Sequence, residues 1–159
     1  MPRVPFGYRL LSTAALLLAC AVPSLGQQPY KVIGHWTIGG SGGWDYMKAD
    51  PDAHLLYLAH GPRVAVIDMN SGKPVGAITG MKGTNGIALD PEGRFGYISD
   101  GRSNDVVVFD RKTFATMATI PAGTNPDGIT YELVTKTVWA FNGRSNSATV
   151  IDTVTRKVV

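Results

Sequence analysis

The sequence predicts an all-β fold built from repeated units of about 42 residues, each with four short strands. The tetrapeptide Gly-Arg-Ser-Asn occurs at residues 101–104 and again at residues 143–146, an interval of 42 residues. Three β-rich runs that end in aspartate recur at the same interval. These runs are 64–68, 106–110 and 148–152. A period of roughly 40–50 residues with several strands per unit is typical of a β-propeller, in which each repeat forms one antiparallel blade.

The residues around each aspartate predict the turns between the strands. A hydroxyl residue follows each aspartate three positions later, namely Ser71, Thr113 or Thr155. Aspartate at the start of a turn, with a hydroxyl residue after it, is typical turn chemistry between two strands. A further β-rich run with an aromatic residue precedes each turn, and these aromatic residues are Tyr57, Tyr97 and Trp139. We therefore expect four strands per unit, called A to D. In the second unit they are 86–89, 95–99, 105–110 and 116–120.

The second unit also resembles a known repeat. Residues 97–100 read Tyr-Ile-Ser-Asp, residues 103–110 read Ser-Asn-Asp-Val-Val-Val-Phe-Asp, and residues 118–123 read Ala-Thr-Ile-Pro-Ala-Gly. This pattern is similar to the YVTN repeat of bacterial YncE-like β-propellers, and the resemblance covers essentially all of residues 30–159. It implies the propeller fold and says little about function.

The first 26 residues are predicted to be a secretory signal peptide. Arg3 and Arg9, with no acidic residue, precede the apolar run 10–22, and the small residues Ser24 and Gly26 stand before the expected cleavage point. The apolar run is too short for a comfortable membrane span. We therefore expect the mature chain to be periplasmic or extracellular.

An alternative to simple cleavage is lipidation. Residues 17–20 read Leu-Leu-Ala-Cys, which resembles a bacterial lipoprotein box. Cys20 would then carry the lipid and anchor the chain to a membrane. Without lipidation, cleavage after Gly26 leaves a mature chain that has no cysteine and needs no disulfide in an oxidising compartment.

The remaining residues divide into a leading segment and about three blades. Residues 27–43 are expected to hold a strand that latches the ring, followed by a Gly-rich joint. The blades are expected at about 44–83, 84–125 and 126–159, with the last one truncated. Because propellers typically need 4–8 blades, the sequence predicts that further blades or self-association close the ring.

The charge balance argues against nucleic acid as a partner. The chain has 15 Lys and Arg and 12 Asp and Glu, and two of the arginines lie in the predicted signal peptide. The mature chain therefore has a net charge of 13 − 12 = +1. So balanced a chain gives no basis for electrostatic attraction to nucleic acid.

One face of the predicted blades is expected to bind a ligand. In a four-stranded blade the B–C and D–A loops share a face, and both Gly-Arg-Ser-Asn copies are B–C loops. Gly101 and Gly143 are expected to supply positive φ for the turn, but this geometry does not require arginine. Arg102 and Arg144 either bind an anion or carboxylate, pair with Asp100 or Asp105, or are solvated. The candidate binding residues are Trp44, Asp45, His60, Asn85, Arg102, Asp127 and Arg144.

These observations predict an exported, non-catalytic binding or interaction module for a protein, peptide or small ligand. One alternative is a metal-dependent propeller hydrolase or lactonase, for which Asp45, Asn85 and Asp127 are the residues that could converge. Another is a purely architectural protein of the cell envelope. Trp139 is expected in the core between blades. No cofactor, metal site or catalytic set is predicted.

Overall fold

The computed structural model describes residues 30–159, so the predicted signal peptide and Cys20 lie outside the described residues. The described chain forms three four-stranded antiparallel sheets, each with its strands in sequence order. This confirms the prediction of an all-β, incomplete propeller. The strands are β1 Trp44–Asp50, β2 Leu55–His60, β3 Arg63–Asp68, β4 Pro74–Ile78, β5 Thr84–Leu89, β6 Phe95–Asp100, β7 Asp105–Asp110, β8 Thr116–Pro121, β9 Pro126–Glu132, β10 Thr137–Asn142, β11 Ser147–Asp152 and β12 Lys157–Val158. Within residues 30–159, no helix has the length and apolar character needed to cross a membrane.

Strands β1–β4 form blade 1, β5–β8 form blade 2 and β9–β12 form blade 3. The middle strands of blade 2 are buried along almost their whole length. Both strands are rich in apolar residues, since both of their faces pack against neighbouring blades. The outer strand β8, which pairs with β7, is largely exposed to solvent.

Two apolar clusters hold the blades together. Between blades 1 and 2, Tyr57 and Val66 pack with Ile98 and Phe109. Between blades 2 and 3, a second cluster includes Tyr97, Val106 and Val108 of blade 2 and Val138, Ala140 and Ile151 of blade 3. Burial of this apolar surface is the main favourable contribution to blade stacking.

The predicted aspartate turn is present between strands C and D of every blade. In blade 2, Asp110 Oδ1 accepts hydrogen bonds from the amide of Thr113 at 2.8 Å and from its hydroxyl at 3.0 Å. Asp68 with Ser71, and Asp152 with Thr155, repeat both bonds. The repeated aspartate is therefore explained by turn chemistry.

The Gly-Arg-Ser-Asn turns differ from expectation in one respect. The positive φ belongs to Asn104 (φ 61°) and Asn146 (φ 49°), so the expectation for the two glycines was wrong. Asn tolerates the left-handed region better than most residues. Gly101 is needed for close approach instead, since a Cβ there would lie 2.5 Å from the Asn85 Nδ2 atom and 3.0 Å from the Asn125 Oδ1 atom.

The predicted latch segment is not a strand in the described residues, where β1 comes first. A latch strand would need to pair with a strand C. Each strand C of the described residues, β3, β7 and β11, already pairs with the strand D of its own blade. Ile38 nevertheless packs against the apolar cluster of Leu58, Ala65 and Ile67 on blade 1. Pairing of this segment with a later blade stays a prediction.

Candidate ligand-binding site

The B–C and D–A loops of the three blades line one cavity of about 780 Å³. The sequence expected these two kinds of loop to share a face, and the structure places them together there. The aromatic and charged residues that line the cavity are Trp44, Asp45, Lys82, Arg102 and Arg144. Asn85 also lines it, so five of the seven candidate binding residues lie around one space.

Asp100 shapes the loop that carries Lys82. The Asp100 side chain is buried, and its two carboxylate oxygens accept hydrogen bonds from the amides of Lys82 and Gly83, each at 2.8 Å. Arg102 then lies across Gly83, where a Cβ would come within 2.7 Å of the arginine Cγ. Both carboxylate oxygens of Asp100 are thus used by the backbone of this loop, and the aliphatic part of the Arg102 side chain packs against Gly83.

The three cations of the cavity have no ionic partner among residues 30–159. The ion pairs there are Arg111 with Asp50, Arg111 with Asp90, and Lys136 with Glu92. The expected alternative, in which Arg102 or Arg144 pairs with a neighbouring aspartate, is therefore not what the structure contains. With Asp45 as the one carboxylate in the lining, the cavity has an excess of positive charge.

Hydrogen bonds between neighbouring blades fix the loops that carry the arginines. The Asn125 amide donates to Asn104 Oδ1 at 2.8 Å, and the Arg144 amide donates to the Thr124 carbonyl at 3.1 Å. Asn85 Nδ2 donates to the Pro126 carbonyl at 2.9 Å. The first two bonds join B–C loops to the loop between blades 2 and 3, and the third joins blade 2 to blade 3, so the backbone of the site is held before any ligand arrives. This reduces the ordering cost of binding.

Trp44 and His60 form a stacked pair at the edge of the cavity. Their ring centroids are 3.7 Å apart and their planes are 7° from parallel. His60 is buried and contacts the Gly42 carbonyl through Nε2 at 3.1 Å. His60 therefore packs against the buried side of the indole and does not line the cavity. Trp44 is 54% exposed and does line it.

Asp127, on strand β9, is not among the residues that line the cavity. Its carbonyl accepts a hydrogen bond from the Ser99 hydroxyl of blade 2. The backbone approaches Gly86 so closely that a Cβ there would lie 2.8 Å from the same carbonyl oxygen. The contacts of Asp127 are thus those of blade packing. Within residues 30–159 there is no group of three or more His, Cys, Asp or Glu side chains placed to hold a metal ion.

Sequence reasoning missed Lys82 and Asn104, both of which line the cavity. The repeat contained a signal for Asn104 but none for the charge of Lys82. Lys82 stands in the D–A loop two residues before β5, and Asn104 is the last residue of the first Gly-Arg-Ser-Asn copy. The residues two positions before the other strands A are Gly42 and Thr124, which also line the cavity but carry no charge.

The similar solved structures are β-propeller proteins, and these likenesses place the chain in that structural class. Hydrazine synthase from Kuenenia stuttgartiensis matches with a TM-score of 0.70 and 25% identity, over 82% of this chain and 38% of that one. U3-55K matches with a TM-score of 0.68 and 13% identity, over 76% of this chain and 39% of that one. The WD40 repeats of RRP9 match with a TM-score of 0.68 and 13% identity, over 76% and 38%.

The chain therefore spans less than half the length of each of these solved chains. No protein-family model matches it. No curated protein matches it either. The comparisons support a propeller-like fold.

Proposed function

We propose that the protein is an exported, non-catalytic binding module whose loop face takes an anionic ligand, with carboxylates as the preferred group. The observation that carries this proposal is the cavity lined by Lys82, Arg102 and Arg144, none of which has an ionic partner in residues 30–159. Loops carry binding residues in many folds because a rigid scaffold positions them. Here the interblade hydrogen bonds supply that rigidity.

The residue types suit a carboxylate-bearing ligand. A guanidinium group can bind both oxygens of one carboxylate in a planar, bidentate manner, whereas the lysine ammonium acts as a point charge. Two arginines and one lysine around one cavity favour ligands with more than one anionic group. The exposed indole of Trp44 adds an apolar surface for the carbon skeleton of such a ligand.

The finer parts of this proposal rest on sequence. The runs 97–100 and 103–110 support membership of the YVTN-repeat group of propellers. The predicted signal peptide at residues 1–26 supports export to the periplasm or the outside of the cell. Lipidation at Cys20 is the alternative that would leave the protein attached to a membrane.

Binding of citrate, measured by isothermal titration calorimetry at low salt, tests the function directly. Citrate is a small tricarboxylate and matches the three cations of the cavity. We expect millimolar or tighter binding that weakens as salt is raised, because salt screens exposed charges. The double variant Arg102→Gln with Arg144→Gln should bind at least about tenfold more weakly, which corresponds to roughly 1.4 kcal/mol.

The matched control is Lys112→Gln. Lys112 is an exposed cation in the C–D turn of blade 2, on the face opposite the cavity, so its loss changes net charge alone. It should leave citrate affinity unchanged. Equal weakening in the control and the double variant would mean that citrate responds to net charge, and the loop face would lose its assigned role.

A further inference from the structure

Three asparagines line the cavity together with its cations, namely Asn85, Asn104 and Asn125. A side-chain amide offers a hydrogen-bond donor and an acceptor, whereas arginine and lysine offer donors alone. Binding of a simple carboxylate needs only the cations. A hydroxyl group both donates and accepts, so it is the group that an amide matches. The lining therefore suits a ligand that carries hydroxyl groups as well as carboxylates.

The side chain of Asn125 lies between the two Gly-Arg-Ser-Asn turns. A Cβ built on Gly101 would lie 3.0 Å from its Oδ1 atom, and a Cβ built on Gly143 would lie 3.5 Å from its Nδ2 atom. These two glycines directly precede the two arginines of the cavity. The backbone amide of Asn125 bonds to Asn104, but its half-buried side chain makes no hydrogen bond within residues 30–159. Asn125 therefore presents an unused donor and an unused acceptor between the two arginine loops.

The other two asparagines each have half of their amide in use. Asn85 donates from Nδ2 to the Pro126 carbonyl at 2.9 Å, and Asn104 accepts at Oδ1 from the Asn125 amide at 2.8 Å. The remaining atoms, Asn85 Oδ1 and Asn104 Nδ2, have no hydrogen-bond partner in the part of the chain that the structure describes. Because the bonds already made orient both amides, the free acceptor and the free donor are held in place before a ligand binds. Such directional groups select for hydroxyl groups at matching positions.

Trp44 and Asp45 add two further contacts that suit a sugar ring. Stacking on His60 fixes the Trp44 indole, which is 54% exposed and offers a flat apolar surface to the C–H groups of a ring. Asp45 is exposed, lines the same cavity and forms no ion pair in residues 30–159. Its carboxylate can accept hydrogen bonds from hydroxyl groups, and it repels a ligand that is anionic throughout.

The two arginines of the cavity follow the repeat of the fold. Arg102 and Arg144 occupy equivalent positions in neighbouring blades, in tetrapeptides that are 42 residues apart. A ligand with one carboxylate in each repeating unit can pair with both guanidinium groups in the same manner. The cavity volume of about 780 Å³ lies within the range of roughly 300–1,000 Å³ that is usual for drug-sized ligands. A short oligomer of such units therefore has both room and partners in this cavity.

We propose that the ligand is an acidic oligosaccharide built from uronate units, in which every sugar ring carries one carboxylate. This inference rests on the proposed function, since it specifies the ligand of the same loop face. Arg102 and Arg144 bind the carboxylates of successive rings. The Asn125 amide bonds to hydroxyl groups between them, and one ring packs on the indole of Trp44. Asn125 is then the residue that distinguishes a uronate from an anion without hydroxyl groups.

Isothermal titration calorimetry at low salt with two trivalent ligands tests the ligand class. Trigalacturonate carries three carboxylates and many hydroxyl groups, whereas triglutamate with both ends blocked carries three carboxylates and no hydroxyl group. We expect trigalacturonate to bind at least about tenfold more tightly. Equal affinities, or tighter binding of the peptide, would overturn the inference and leave the anion site in place. Binding of citrate without binding of trigalacturonate would do the same, whereas failure of all three ligands would also overturn the proposed function.

Asn125→Gly tests the residue that carries the inference. Asn125 has a φ of 57°, which glycine adopts readily, so the change removes the amide without straining the loop. We expect the affinity for trigalacturonate to fall at least about tenfold and to approach that of blocked triglutamate. The matched control is Asn146→Gly, at an exposed position with φ 49° that does not line the cavity, and it should leave the affinity unchanged. An affinity that is the same with and without the Asn125 amide would overturn the role assigned to this residue.

Discussion

Arg111, in the C–D turn of blade 2, donates a hydrogen bond from its Nη2 atom to the carboxylate of Asp50, which ends strand A of blade 1. Its Nη1 atom donates to the Asp90 carbonyl at 2.7 Å and lies 3.4 Å from the Asp90 carboxylate. All three side chains are at least nine-tenths buried. One guanidinium therefore ties two blades together on the side opposite the ligand cavity.

Arg111→Met is expected to destabilise the fold by about 3 kcal/mol, because it leaves the Asp50 carboxylate buried without its cation. Arg111→Lys should recover only part of this loss, since an ammonium cannot reproduce the forked geometry. Urea unfolding followed by circular dichroism measures both effects. The neighbouring exposed control, Lys112→Met, should change the free energy of unfolding by less than about 0.5 kcal/mol. Similar losses in Arg111→Met and the control would contradict the structural role of the pair.

Gly96→Ala is expected to destabilise the fold by roughly 2 kcal/mol, because a Cβ at this position would overlap the buried ring of Phe109. Phe109 lies in the cluster that joins blades 1 and 2, so the overlap cannot be relieved by moving into solvent. The control is Gly34→Ala, where a Cβ would meet no atom within 4 Å. The shift in the urea midpoint should be confined to the first variant, and a midpoint unchanged at Gly96 would rule out this packing.

Thr113→Ala is expected to raise the pKa of Asp110. The backbone and side-chain hydrogen bonds of Thr113 hold that pKa below its ordinary value of 3.8, and the substitution removes the hydroxyl. Because the pKa is lowered in the folded state, the ionised carboxylate stabilises the turn when the pH is above the ordinary pKa of 3.8. This stabilisation is lost as the pH falls through the lower pKa of the folded state. Carbon-detected NMR titration of the Asp110 carboxyl measures the change. The same titration in Thr116→Ala, which leaves the turn intact, should show none.

Asp105→Asn is expected to stabilise the protein at about pH 7 and to have no such effect at about pH 3. Burial and then the neighbouring charge of Asp100 raise the pKa of Asp105, and its Oδ1 atom is buried without a hydrogen-bond partner in residues 30–159. A raised pKa means that ionisation costs stability. This destabilisation is complete when the pH is above the raised pKa of the folded state, and it disappears when the pH is below the ordinary pKa of 3.8. Melting temperatures at the two pH values measure the effect, and a gain that is equal at both would contradict this account.

The repeat in the sequence was sufficient to predict the blades. The 42-residue interval of Asp68, Asp110 and Asp152 reflects a turn whose hydrogen bonds are local, so sequence spacing reports it directly. Contacts between blades join residues that are distant in sequence, and these contacts explain why some predicted site residues were wrong. His60 was predicted in the site because it lies in a B–C loop, but stacking beneath Trp44 buries it.

The loops that carry the arginines also combine features set by local sequence with features set by contacts between loops. Gly101 was expected to provide a positive φ, and it is required instead by the approach of Asn85 and Asn125 from neighbouring loops. Lys82 was missed because its place in the cavity depends on the buried carboxylate of Asp100, which lies 18 residues further along the chain. Such pairings are set by how blades stack, which a single sequence does not display.

The most direct test of the account is a map of amide chemical shifts during a citrate titration of isotope-labelled protein. We predict saturable shifts at the cavity loops, including the amides of Lys82, Arg102 and Arg144, and none at Lys112 on the opposite face. The shifts should vanish in the double variant Arg102→Gln with Arg144→Gln while the rest of the spectrum is unchanged. Saturable shifts clustered away from these loops, or the absence of any saturable shift, would contradict the loop face as an anion-binding site.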